Sequence, residues 1–299
     1  MRIKSRPVLK GIMARLLQIA VSEVLLSFGG QAAIPFIHLG AKHVDLQGFL
    51  LMTHEDVQRS FVVPVLDFSP HSPYNIRSLL KDLQEVPGEV ICIFNSREVF
   101  EKLQHHPRID KFCFNKLNAG VSRSWNMGLN LAEGRAVFVM NADLHVTPAA
   151  VDQLEAYLFR LPSAVMVGPQ GSHLDFKNLQ VLRYFEKGTF NEPVRTHDVS
   201  GFFFAIHRER FLRHRLQFDV QYSPCFMEEW DMGLQAIQAE LACYAVPVAE
   251  FEHHWGVSGS QENTPIEYFG RHVYRNDVLA ANRSKFLRKW FPQAASAPT

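Results

Sequence analysis

The 299 residues carry 31 basic and 30 acidic side chains, a formal charge of +1, and 47% of them are hydrophobic. That is apolar material for a full core in one large domain or two smaller ones, and the balanced charge leaves no global field to draw the chain to nucleic acid. Cys92, Cys113, Cys225 and Cys243 form no C-x-x-C pair, so they read as reduced core thiols in a cytoplasmic setting, with no disulfide framework.

The stretch from Gly11 to Phe28 has helical periodicity (Ile12, Leu16, Leu17, Ile19, Ala20, Val24) but is broken by Arg15, Gln18, Ser22 and Glu23, which excludes a transmembrane span. Basic residues precede it and no small-residue cleavage site is evident, so the expectation is an amphipathic helix packed on the protein, not a secretion signal. Residues 1 to 60 read as an accessory segment that forms a homodimer contact or covers the domain's own back face.

From residue 61 short apolar runs alternate with helical segments: Phe61 to Phe68, Ile76 to Leu83, Val90 to Phe94, Ser122 to Ala132 and Ala136 to Met140. Strands separated by helices of this length predict βαβ units and a mainly parallel sheet, a Rossmann-like half over residues 61 to 143. Beyond it the pattern predicts a helix at Ala149 to Phe159, a strand at Ala164 to Gly168, a loop-rich stretch from Pro169 to Asp198, a strand at Val199 to His207 and a helix from Glu228 to Ala239. This less regular half, residues 144 to 260, fits an acceptor region, and residues 261 to 299 read as a C-terminal helix and tail.

The run Ala136 to Met140 stops at Asn141-Ala142-Asp143. A buried strand that ends in an acidic triplet hands a carboxylate to the cleft at the strand's carboxyl end, where open α/β sheets bind ligands. Three other segments are spaced around it: Asn118-Ala-Gly120 through Asn126-Met-Gly128, Phe218-Asp219 followed by Glu228-Glu229-Trp230-Asp231, and His253-His254-Trp-Gly256-Val-Ser258.

Together these segments resemble family 2 glycosyltransferases of the bacterial rhamnosyltransferase-like group. The first is similar to the family's Asn-x-Gly stretch before the metal-binding strand, and Asn141-Ala-Asp143 stands at its D-x-D signature. The acidic cluster is similar to its Glu-Asp-x-Asp, and His253 to Ser258 to the His-x-x-Gly-x-Ser motif. The resemblance covers roughly residues 61 to 260 and implies an α/β GT-A (Rossmann-like) fold, a mixed, mainly parallel sheet flanked by helices, with the N-terminal helical extension and the C-terminal helix attached.

The resemblance implies an inverting transfer of a sugar from a UDP- or dTDP-type nucleotide donor to a hydroxyl of a glycan or lipid-linked acceptor, in surface polysaccharide or glycoconjugate synthesis. Mg²⁺ or Mn²⁺ takes oxygen ligands and one or two protein carboxylates, and it stabilises a departing diphosphate. Asp143 and His253 are the expected ligands, with His254 the alternative imidazole. Glu229 is the expected general base and Glu228 its immediate competitor, with Asp231 orienting the base or the helix start. The donor's nucleotide is expected at Asp67, Asn95, Asn118, Gly120, Arg123, Asn126 and Asn141.

Two departures stand out. The first strand leads to Asp67-Phe-Ser where the family has a Thr-Tyr-Asn type turn, and Phe94 falls where its base-holding Asp is expected. The second supports an alternative, a catalytically silent GT-A domain acting as a sugar-binding or partner subunit. Finally, Tyr268 to Phe291 is basic and aromatic. It reads as a helix packed on the catalytic domain, with peripheral contact to the inner face of the membrane as the other reading.

Overall fold

The computed structural model of the chain describes residues 37–41, 58–70, 72–253 and 263–292; the helix expected over Gly11 to Phe28, as well as His254, Gly256 and Ser258, lies outside them. In chain order the first half comprises β1 (Ile37–Ala41), β2 (Arg59–Val65), α1 (Ile76–Asp82), β3 (Glu89–Phe94), α2 (Arg97–Leu103), β4 (Lys111–Asn115), α3 (Val121–Leu131) and β5 (Ala136–Met140). The second half comprises β6 (Leu144–Val146), α4 (Pro148–Arg160), β7 (Ala164–Gly168), β8 (Gly171–Asp175), β9 (Gln180–Phe185), β10 (Val194–Thr196), β11 (Phe203–His207), α5 (Arg208–Arg213), α6 (Glu228–Gln238), β12 (Ala242–Ala245) and β13 (Phe251–His253). A hairpin, β14 (Pro265–Tyr268) and β15 (Arg271–Tyr274), then leads into α7 (Arg275–Trp290).

Nine strands form one sheet in the order β1-β4-β3-β2-β5-β11-β7-β12-β10. Strands β4, β3, β2 and β5 run parallel, as the βαβ pattern predicts, and β12 is parallel to β7. Strand β11 lies antiparallel to both β5 and β7, so the carboxyl end of β5 meets the start of β11, with Met140 opposite Phe203. That inversion makes the sheet mixed and brings the two halves of the chain together at one edge of the cleft.

All five side chains of β5 are buried, which is why it reads as an unbroken apolar run. One sheet face, with Phe61, Val63, Phe138, Met140, Phe203 and Ala205, packs against Leu79 and Leu80 of α1, Val99 of α2 and Leu154 and Leu158 of α4. On the other face α3 buries Trp125 edge-on against Phe204 and Phe218, ring centroids 5.3 and 4.8 Å away. Each such fully buried side chain contributes about 1.5–3 kcal/mol. Helix starts follow local chemistry: Asn75 caps α1 in a capping box with Ser78, and Thr147 caps α4 with Pro148 in the first turn.

Two sequence expectations need correction. The stretch from Pro169 to Asp198, expected to be loop-rich with no strand assigned, contains the β8–β9 hairpin and β10. The signal was absent because β9 buries only Phe185, leaving Gln180 to Tyr184 exposed, so it lacks the half-buried alternation that marks a strand. The strand expected at Val199 to His207 begins only at Phe203, Gly201-Phe202 form the turn before it, and Ser200 precedes that turn. The four cysteines are free thiols, three buried and Cys225 partly so. No described helix is long and apolar enough to cross a membrane.

Candidate active site

Asp143 leaves the end of β5 as the chain enters β6, a short strand paired antiparallel with β13 so that Leu144 faces His253. The pairing brings Asp143 Oδ1 to 3.4 Å from His253 Nε2, with both side chains largely buried. Asn141 Nδ2 lies 3.3 Å from the same imidazole nitrogen. The ring of His253 stacks on Phe202, centroids 4.4 Å apart and planes within 7°, and the Phe202 carbonyl accepts the Asn141 backbone N–H at 2.8 Å. A carboxylate and an imidazole side by side are a donor set that a small divalent cation accepts while completing its shell with phosphate oxygens and water. Among the described residues no cluster of three or more such ligands occurs.

One residue before Phe202, Gly201 meets the acidic helix. Its backbone packs directly against the Glu229 carboxylate, and a Cβ at position 201 would collide with Glu229 Oε1 and stand 2.9 Å from the Trp125 ring. Only glycine leaves that space. Glu229 keeps partial solvent access, whereas Glu228 is buried and its Oε2 meets no hydrogen-bond donor. Burial pushes the Glu229 carboxyl up to about 7 despite the Gly201 N–H. Burial and then the Glu229 charge push Glu228 well above the ordinary carboxylate range. The helix that carries both starts from two consecutive left-handed residues, Phe226 (φ 76°) and Met227 (φ 78°). Such backbone costs on the order of 1–3 kcal/mol per residue and persists only where the surroundings hold it.

Sequence reasoning missed a third carboxyl here. Asp198 is buried, accepts the Ser172 backbone N–H at 2.7 Å, and is pushed up to about 7 by burial and then by the charge of Glu229. Beside it the Tyr184 hydroxyl donates to Gln170 Oε1 at 2.6 Å and lies 3.0 Å from Ser200 Oγ. An Asp at the end of a supposed loop carried no signal until β8, β9 and β10 enclosed it.

Asp231 stands apart from these groups. It is fully buried and its carboxylate accepts Tyr222 Oη at 3.1 Å, Trp290 Nε1 at 2.7 Å and Gln235 Nε2 at 2.6 Å, with Lys289 Nζ at 2.7 Å. Its contacts join α6 to α7, and none of these bonds reaches Glu229.

The residues expected to hold the nucleotide are engaged within the protein. Asn95 donates to Ser124 Oγ at 2.9 Å and accepts from Asn115 Nδ2 and the Ala119 N–H at 3.0 and 3.1 Å. Asn126 clamps the Phe218 backbone by both its N–H and its carbonyl, at 3.1 and 2.7 Å. Asn118 accepts the Gly120 N–H and donates to the Glu267 carbonyl. Gly120 (φ 83°) lets α3 begin against Pro224, whose Cα would be 2.9 Å from a Cβ there. Arg123 donates to the Tyr268 hydroxyl at 2.7 Å and lies over the Phe269 ring. Asp67 is exposed at the end of β2 and accepts the Ser69 N–H at 2.7 Å. The Tyr-Asn pair absent directly after the first strand occurs further along, at Tyr74-Asn75, where Asn75 opens α1.

An open cavity of about 1050 Å³ lies elsewhere, at the amino ends of β2, β3 and β5 among Arg59, Glu89, Arg108, Arg135, Asp152 and Glu155. Two of its arginines are ion-paired, Arg59 with Asp152 and Glu155 and Arg108 with Asp110, and Arg135 lies over the Phe159 ring.

Residues 75–214 match the family model described as Glycosyl transferase family 2. No curated protein matches the chain. Among solved structures, GalNAc-T7 with UDP, GalNAc and Mn²⁺ aligns with 81% of this chain and 52% of its own at 14% identity and a TM-score of 0.58. Staphylococcus aureus TarS in complex with UDP-GlcNAc aligns with 69% of this chain and 62% of its own at 14% identity and a TM-score of 0.49. The chain thus spans about half the length of the GalNAc-T7 structure it matches.

Proposed function

From the match of residues 75–214 to the glycosyl transferase family 2 model and the likeness of the fold to GalNAc-T7, we propose that the chain is a GT-A glycosyltransferase of family 2 that transfers a sugar from a UDP- or dTDP-type nucleotide to an acceptor hydroxyl, with inversion at the anomeric carbon. The observation that carries this reading is the Gly201-Phe202 turn. Phe202 supports the Asp143 and His253 pair, and Gly201 supports Glu229, so a candidate cation site and a candidate base converge on one turn at the carboxyl end of β5.

In this reading Asp143 and His253 hold Mg²⁺ or Mn²⁺, and Asn141 fixes the imidazole. When bound, the cation stabilises the negative charge that gathers on the departing diphosphate. Glu229 removes the proton of the acceptor hydroxyl as the hydroxyl oxygen attacks the anomeric carbon. The bond to the diphosphate breaks in the same displacement, with no covalent sugar-enzyme intermediate. A carboxyl held near 7 is suited to that task, because a base works best with its pKa close to the working pH, and such assistance contributes about 10²–10⁴-fold. Glu228, buried beside it, is raised well above the ordinary carboxylate range by burial and then by the Glu229 charge, so the two do not ionise together and Glu229 is the one that takes the proton. Glycan or lipid-linked acceptors of polysaccharide synthesis are the acceptor class we assign to the face formed by Asp198, Ser200 and the β8–β9 hairpin.

Calorimetric titration with UDP- and dTDP-sugars, with and without Mn²⁺, tests the reading. Metal-dependent binding in the wild type, lost in Asp143→Ala, is the expected result and identifies the nucleotide class. If no nucleotide sugar binds with or without the metal, the chain is a silent domain and the proposal fails.

A further inference from the structure

The C-terminal helix α7 reaches back to the strained start of α6. Its buried stripe is Val278, Asn282 and Phe286, four residues apart on one face. An amide in the middle of an apolar stripe is a poor helix former and costs free energy to bury, so it must be satisfied. Asn282 Nδ2 donates to three backbone carbonyls, Tyr222 at 2.5 Å, Cys225 at 2.8 Å and Phe226 at 3.3 Å. Lys285 closes the far side, bonding to Asn282 Oδ1 at 2.9 Å and the Gln221 carbonyl at 2.6 Å. Two turns on, Lys289 and Trp290 hold Asp231 of α6. The segment gripped in this way ends at Phe226, the first of the two left-handed residues before Glu228 and Glu229.

We infer that Asn282 is a positioning residue for the Glu229 carboxylate: by fixing the carbonyls of Tyr222, Cys225 and Phe226 it holds the left-handed turn that aims the first turn of α6 at Gly201. This rests on the reading of Glu229 as the base. Neither Asn282 nor α7 lies within the matched family segment. The C-terminal helix is therefore part of the machinery that sets the base, and the basic side chains Lys285 and Lys289 serve as internal clamps.

The test is Asn282→Leu, which keeps the approximate shape and removes the donor without adding a charge, alongside Trp290→Phe, which removes one bond to Asp231 and keeps an aromatic ring. The Glu229 carboxyl is titrated by ¹³C NMR in each purified full-length protein, with Glu228, Asp198, Cys225 and Tyr184 as its ionisable neighbours. Steady-state kinetics follow, with the donor that calorimetry identifies. Asn282→Leu is expected to move the Glu229 midpoint toward the ordinary carboxylate range and to lower kcat on the order of 10- to 100-fold, as displaced catalytic groups do, with KM for the donor nearly unchanged. Trp290→Phe is expected to do the same to a smaller degree, and decides the question if Asn282→Leu does not fold. A lowered melting temperature with the Glu229 midpoint and kcat unmoved would overturn the inference. If the wild type transfers no sugar, the reading of the function fails, and the NMR midpoint alone still decides whether Asn282 positions Glu229.

Discussion

Asn95, Asn118 and Asn126, between β3 and α3, have their amides satisfied by backbone groups and neighbouring side chains. Glu228, Glu229 and Asp198, around the approach to β11, are acidic groups shifted upward by burial, and one Glu228 oxygen meets no donor. Both sets are polar, and the sequence offered all of these residues except Asp198 as site residues. The difference separates stability from chemistry. A buried amide with every bond made stabilises the fold, since each net bond contributes about 0.5–1.5 kcal/mol. A buried carboxyl with too few donors costs stability, and such groups concentrate where a proton has to move.

The sharpest way to break that distinction is Glu229→Gln. The substitution keeps the side-chain shape and removes both the basicity and the unfavourable charge. Turnover is expected to fall by about 10²–10⁴-fold, while donor affinity holds and the melting temperature stays level or rises. A variant that melts well below the wild type and retains its kcat would place Glu229 with the structural set.

Asn95→Ala probes the other side. It strands the Ala119 N–H and the Asn115 amide in the interior, while the Ser124 hydroxyl keeps its bond to the Gly120 carbonyl, and a stranded buried polar group costs about 1–3 kcal/mol. Denaturant unfolding is expected to show a loss of that order, with turnover per folded molecule unchanged. Lost donor affinity at full stability would return Asn95 to the nucleotide site that the sequence assigned it.

These contrasts also show what the sequence could reveal. The run Ala136 to Met140 ending at Asp143 was legible because a strand buried on both faces is unbroken apolar text, and the sheet places Asp143 at its carboxyl end. The pairing of Asp143 with His253 depends on β6 meeting β13 across more than a hundred residues, and only the order of the motifs hinted at it. Asp198 and the β8–β9 hairpin were illegible because an exposed strand has no periodic apolar face. Asn282 did leave a trace, a polar residue on the stripe Val278 to Phe286, but one residue off pattern in a basic helix reads as solvent-facing until its partners are known.

The smallest expected effect comes from Asp198, and it is a matter of pH. In the unfolded chain an aspartate titrates near 4, whereas burial and Glu229 hold Asp198 at about 7 in the folded protein. Between those values the folded state binds more protons than the unfolded state, so stability falls as pH rises through that interval, and the full penalty is present above 7. Glu229 acts in the same direction, since its carboxyl is also raised to about 7. Asp198→Asn keeps an oxygen that accepts the Ser172 N–H and removes the ionisation. Melting curves from pH 5 to pH 8 should therefore decline less steeply in the variant, which is expected to melt a few degrees above the wild type at pH 8 and close to it at pH 5. Identical pH slopes in the two proteins would mean that Asp198 is ionised without penalty. Its environment would then resemble that of the satisfied asparagines and not that of the acidic helix.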